Sequence, residues 1–133
     1  MLFRSPGNEY VDLIGIDIYD MYWGDPSTVA QADRWKIANE GPFGLKEIAA
    51  FAKQAGKPLV VPEWGVGRAG PIGGGTENPA WIDFMADFIL NPVNNVAWHA
   101  YWNRDAGSGY EGQIYPTNLR PQTAARYKAR FGT

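Results

Sequence analysis

Three strand-like stretches, each followed by a segment of helical periodicity, confine this chain to a sheet of parallel strands. The first, YVDLIGIDIYD (Tyr10 to Asp20), alternates. Ile14, Ile16 and Ile18 share one face, and Leu13, Gly15, Asp17 and Tyr19 share the other. The second, LVVPEW (Leu59 to Trp64), is a short apolar run that reaches a carboxylate, Glu63. The third, VAWHAYWN (Val96 to Asn103), is rich in aromatics. Ser27 can cap a short helix running to Glu40. In FGLKEIAAFAKQA (Phe43 to Ala55), Leu45, Ile48, Ala49 and Ala52 fall at helical spacing, with Gly56 set for a left-handed terminus and Pro58 just beyond. Asn78 followed by Pro79 starts another helix, whose apolar face is Trp81, Phe84, Met85, Phe88 and Ile89. Pro121 opens a last one carrying Ala124, Tyr127 and Phe131, after a polar, glycine-rich loop over 104–120.

Strands that alternate with helices need crossover connections, which give a parallel sheet covered by helices. Two architectures satisfy this pattern: an open doubly wound sheet and a (β/α)₈ barrel. The chain has 133 residues, no internal repeat and no linker, so it reads as one α/β domain over residues 1–133. A complete barrel takes roughly 200 residues or more. Three βα units would therefore be part of one.

Composition removes several function classes. A chain that is 45% hydrophobic and 14% aromatic is not disordered. Its net charge is −2 and its Lys and Arg are scattered, so neither a nucleic-acid backbone nor an anionic membrane finds a basic patch. No apolar run approaches the ~20 residues of a membrane helix. The N-terminal MLFRSPGNEY is too short and polar for a signal peptide, which leaves the compartment open. With no cysteine there is no disulfide, thiolate nucleophile or zinc–thiolate site. One histidine without ligand spacing makes no metal site, and Asp17, Asp20 and Asp25 are too spread for a calcium loop. No cofactor or metal is expected.

The segment LVVPEWGVGRAG (Leu59 to Gly70) admits two readings. GVGRAG fits G-x-G-x-x-G, a phosphate-cradling turn. That motif needs a helix opening directly from its glycines, whereas the next helix begins only at Pro79. The expected acidic residue after the following strand is missing too. The glutamate reading fares better, because loops at the C-terminal ends of parallel strands form the site in both architectures. Leu59, Val61 and Glu63 share a face. The carboxylate then points into the mouth if the leucine and valine line the interior, beside Leu13. Asp17, Tyr19 and Asp20 end the first strand, and Tyr101, Trp102 and Asn103 end the third. Carboxylates for acid–base chemistry, with aromatic faces to stack on sugar rings, suit a carbohydrate site. His99 has ambiguous parity and is either a satisfied, partly buried histidine or a substrate contact.

EYVDLIGIDIYD, KPLVVPEWGVG, NPAWIDFMADFI and VAWHAYWN together resemble strands six to eight of a retaining (β/α)₈ glycoside hydrolase. The likeness is greatest to glycoside hydrolase family 26, whose members include β-mannanases and some β-glucanases and xylanases. It covers almost the whole chain, in the right order. The resemblance implies that Glu63 is the catalytic nucleophile. It further implies that the Tyr19 hydroxyl contacts that nucleophile and that Trp102 floors the sugar subsite beside the scissile bond. Trp64, Trp23 and Asn103 would line neighbouring subsites. Asp17, on the neighbouring strand, can come near Glu63, but nothing in the family assigns it the acid/base role, and it reads as supporting the site by hydrogen bonding. The resemblance also implies a polysaccharide or oligosaccharide substrate and a secreted or extracellular location. The family's general acid/base ends strand four, before this chain starts, so the missing N-terminal barrel half is an expected partner. The isolated chain is then expected to be inactive. The alternative is a non-catalytic carbohydrate-binding remnant that keeps the aromatic platforms.

Overall fold

In the computed structural model, residues 7–20, 29–67, 77–107, 110–116 and 119–132 are described. Three strands, β1 (Ile14–Tyr19), β2 (Leu59–Gly65) and β3 (Val96–Tyr101), form one parallel sheet in the order β1-β2-β3. Helices α1 (Gln31–Glu40) and α2 (Leu45–Ala55) join β1 to β2. Helix α3 (Pro79–Ile89) joins β2 to β3, and α4 (Pro121–Phe131) follows β3. This is the α/β arrangement that alternation requires.

Local chemistry sets the helix ends. Gly56 closes α2 at φ 66. Asn78 caps α3, its Oδ1 accepting the Trp81 N–H at 3.0 Å, with Pro79 in the first turn. The Glu77 carboxylate accepts the backbone N–H groups of Gln122 and Thr123 and so caps α4 from a distance in sequence. Helix α1 begins at Gln31 rather than after Ser27, and residue 27 lies outside the described residues. In the loop after β3, Asp105–Gly107 (β4) and Tyr110–Glu111 (β5) pair as a small antiparallel ribbon. No apolar alternation signals that ribbon in the sequence.

The core lies between the sheet and the helices. Leu59, Val61, Trp64 and Val66 meet Leu45 and Ile48 of α2 and Trp81, Ile82 and Met85 of α3, all at most 4% exposed. Ile14, Ile16 and Ile18 pack against this cluster, as their stripe predicts. Each such side chain removed from water stabilises the fold by about 1.5–3 kcal/mol.

The expectation that Leu59 and Val61 face the barrel interior with Glu63 is corrected here. Both are fully buried on the helix side. The register explains how Glu63 nevertheless reaches the other face. From Gly15↔Val60 to Asp17↔Glu63, β1 advances by one intervening residue and β2 by two. From Val61↔His99 to Trp64↔Tyr101, β3 again advances by one intervening residue and β2 by two. Strand β2 thus carries one extra residue at Pro62–Glu63, a bulge that inverts the alternation. Proline is tolerated in a strand at such a point because it donates no ladder hydrogen bond there.

Candidate functional site

At the C-terminal end of the sheet the bulge places Glu63 beside Tyr19 of β1. The Tyr19 hydroxyl donates to Glu63 Oε1 at 2.6 Å. Burial, that hydrogen bond and the charges of Glu63 and Asp17 together push the Tyr19 phenol well above its ordinary value, so it is held as a proton donor. Gly65 makes the approach possible: a β-carbon there would stand 3.1 Å from the Tyr19 ring. Asp17 is exposed on the same side, paired in register with Glu63. A groove runs past Asp17, Tyr19 and Glu63 to Ile37 and Phe43, with a volume of about 560 Å³.

Trp102 follows β3 and is half-buried. Its backbone N–H donates to the Trp64 carbonyl at 2.8 Å, and its own carbonyl lies near Gly65 and Gly112. The backbone of Trp102 is therefore fixed next to the strand end that carries Glu63. Tyr101 ties the two loops together, donating from its hydroxyl to the Gly112 carbonyl at 2.8 Å and accepting from the Val66 N–H at 3.3 Å. Burial raises the Tyr101 phenol as well.

Two other candidates are placed differently, and a third lies outside the described residues. Trp64 is fully buried on the helix side, where its indole meets Tyr101, Tyr127 and Phe131 and donates to His99 Nδ1 at 3.0 Å. It cannot offer a ring face to a sugar, because the inverted alternation that brings Glu63 out turns Trp64 in. Asn103 is exposed, yet its amide is engaged in bracing a loop. Its Oδ1 accepts from the N–H groups of Ile114 and Tyr115, and its Nδ2 donates to the Tyr115 carbonyl. Trp23 lies outside the described residues.

His99 resolves to the helix side, half-buried against Phe131, and burial lowers its pKa. Asp20 also leaves the rim. It is fully buried, paired with Arg34 at 2.8 Å and accepting from Asn78 Nδ2 at 2.6 Å. That network ties the end of β1 to α1 and to the cap of α3. A buried ion pair of this kind is costly to break, since either partner alone would be an uncompensated charge. Neither the His99 contact nor this network is marked by a motif. Pro62 inside an otherwise regular strand was the one sign of the bulge.

Gly65 ends β2, and the second half of GVGRAG lies outside the described residues. No group of three or more potential metal ligands occurs among the described residues. No helix among them is long and apolar enough to cross a membrane.

No protein-family model and no curated protein matches the chain. Solved structures do. A modular endo-β-1,4-mannanase from Cellulomonas fimi, described as a glycoside hydrolase family 26 mannanase, is 26% identical with a TM-score of 0.52. The match covers 96% of this chain and 26% of that one. The hyperthermostable endo-1,4-β-D-mannanase of Thermotoga petrophila RKU-1 is 18% identical with a TM-score of 0.55, over 92% of this chain and 34% of that one. The catalytic domain of the family 26 mannanase from Bacillus sp. JAMB-750 is 19% identical with a TM-score of 0.51, over 92% and 32%. The chain thus resembles part of the barrel of family 26 mannanases, and it spans about a quarter to a third of their length.

Proposed function

We propose that this chain is a portion of a retaining glycoside hydrolase that cuts a β-linked polysaccharide, β-mannan or β-glucan, with Glu63 as its nucleophile. The observation that carries this reading is the Tyr19–Glu63 hydrogen bond at the C-terminal end of a parallel sheet. A carboxylate held at one oxygen by a protonated phenol is oriented for attack from the other. The likeness to mannanase barrels supports the substrate class.

In this mechanism Glu63 attacks the anomeric carbon and forms a glycosyl ester as the glycosidic oxygen departs. That oxygen takes a proton from a second carboxyl group about 5–5.5 Å from the first, which then deprotonates the water that cleaves the ester. Asp17 stands on the neighbouring strand, but its register beside Glu63 suits support of the nucleophile rather than protonation across the sugar. The acid would come from polypeptide that completes the barrel. Trp102 would supply the apolar floor under the sugar ring. A polymeric glycan does not cross a membrane, so this reading implies action outside the cell.

A non-catalytic glycan-binding role draws support from one observation. Among the described residues, the site groove carries no carboxylate except Asp17 and Glu63. The two readings separate in the complete polypeptide that carries this segment. There, Glu63→Gln is expected to lower hydrolysis of β-mannan and β-glucan by roughly 10³-fold or more, because the covalent route is lost. Glycan binding should persist, resting on stacking and other hydrogen bonds. Turnover near the wild-type level would refute the nucleophile assignment, and binding by a wild-type protein without turnover would favour the second role.

A further inference from the structure

We infer that His99 is a positioning residue for Glu63, acting through Trp64; this deepens the reading of Glu63 given above and rests on it. Toward β3 the bulge leaves Pro62 and Glu63 without register partners, while on the other side Glu63 still pairs with Asp17 of β1. His99 grips β2 on both sides of that irregularity. Its backbone is in register with Val61, just before the extra residue. Its side chain reaches Trp64, just after it, by accepting the indole N–H at Nδ1, 3.0 Å away. Only Pro62 and Glu63 lie between the two points of attachment. Trp64 is fully buried, and its carbonyl holds the Trp102 N–H at 2.8 Å. The imidazole is therefore the side-chain clamp on the β3 side of the strand end that carries the carboxylate and adjoins Trp102, complementing the hold of Asp17 and Tyr19 from β1.

The contact demands a particular protonation state. Nδ1 accepts only when it carries no proton, so the neutral ring must hold its hydrogen on Nε2. The surroundings favour that state. The ring meets Trp64 of β2 and Phe131 of α4, and Tyr127 of α4 touches both of these. Among these neighbours only Tyr127 is ionisable, and burial pushes its phenol up, so it stays neutral. Protonating His99 in acid would replace an acceptor with a second donor facing the indole N–H. The strand end would then lose its tie.

The test uses the complete polypeptide and two substitutions. His99→Asn offers an amide oxygen near the position of Nδ1 and does not titrate, whereas His99→Leu removes the acceptor. In the wild type, the ¹⁵N-labelled indole N–H of Trp64, identified with Trp64→Phe, should shift as pH falls below the ordinary histidine value of about 6.5. The kcat profile should lose activity over the same interval. His99→Asn should abolish both responses while keeping kcat at neutral pH within a few-fold. His99→Leu should lower kcat by roughly 10–100-fold with little change in KM, as expected when a reacting group is misplaced by a fraction of an ångström to about 1 Å. A folded His99→Leu protein with wild-type kcat and an unchanged pH profile would overturn the inference. So would an indole resonance indifferent to acid in the wild type. If the wild type hydrolyses no glycan, the nucleophile reading fails on its own account. The ¹³C shift of the Glu63 carboxylate, compared between wild type and His99→Leu, still decides the positioning role: a change supports it and identity overturns it.

Discussion

On one side of β2, Leu59, Val61 and Trp64 are fully buried under α2, α3 and α4. On the other side of the same strand Pro62 is exposed, Glu63 is half-buried, and Trp98 of the neighbouring β3 is 47% exposed. The helix side is a finished core, with interlocking aromatics and a hydrogen-bond partner for the Trp64 indole. The open side has polar groups at one end, apolar groups along its length, and no covering layer among the described residues. On the proposed reading, stability and chemistry fall on opposite faces of three strands. A single extra residue in β2 moves Glu63 from the first to the second.

The comparison breaks most visibly if the 133-residue chain works alone. Parallel strands are ordinarily buried on both faces, and among the described residues β1 and β3 each present an unpaired edge. Expressed by itself, the chain is expected to associate or to show a broad thermal transition, and to leave β-mannan and β-glucan uncut. Without a positioned acid the leaving oxygen departs unprotonated, a loss of about 10²–10⁴-fold. A monomer with a sharp transition and robust hydrolysis, seen by sedimentation, calorimetry and a reducing-sugar assay, would show that the open side is already complete.

A pair of tryptophans sharpens the contrast in stability. Trp81 is 1% exposed in the core and Trp98 projects from the open side. Trp81→Ala should destabilise the fold by about 3–5 kcal/mol, the usual effect of deleting a buried aromatic. Trp98→Ala in the same chain should change it by no more than about 0.5 kcal/mol. Urea titration of the helical signal measures both, and equal losses would mean that the two faces are alike in packing.

Tyr19→Phe probes the open side with a smaller change. It removes the donor to Glu63 Oε1 and leaves the ring against Gly65. A hydrogen bond to a charged group contributes about 1.5–3 kcal/mol, so kcat in the complete polypeptide should fall roughly 10–100-fold. Stability should fall by no more than that same amount, and an unaltered kcat would separate Tyr19 from the chemistry.

Much of the fold was legible because periodicity reports burial directly. The isoleucine stripe of β1, the Asn78–Pro79 start of α3 and the Gly56 terminus of α2 appear as their residues predict. The faces of β2 were not legible, because continuous apolar runs carry no alternation and a bulge inverts what little there is. Simple alternation therefore puts Leu59 and Val61 in the interior, while the subsite role of Trp64 comes from the family resemblance. The nearness of Tyr19 and Glu63 follows once the strands are parallel and adjacent. The Asp20–Arg34–Asn78 network and the Trp64–His99 contact depend on long-range geometry, with partners from 14 to 58 residues apart. No local pattern encodes such pairs.

The central claim is that the bulge delivers a nucleophile to the open face. It is tested most directly by trapping the ester. A 2-deoxy-2-fluoro glycoside with a good leaving group needs little help from an acid to form the covalent intermediate, while the fluorine slows its hydrolysis. After incubation of the complete polypeptide with such a mannoside or glucoside and peptic digestion, mass spectrometry should find one added fluoroglycosyl group. That group should sit on the peptide containing Glu63, and it should vanish in Glu63→Gln. Labelling of a different carboxylate, or steady turnover of the reagent with Glu63 unmodified, would contradict the account.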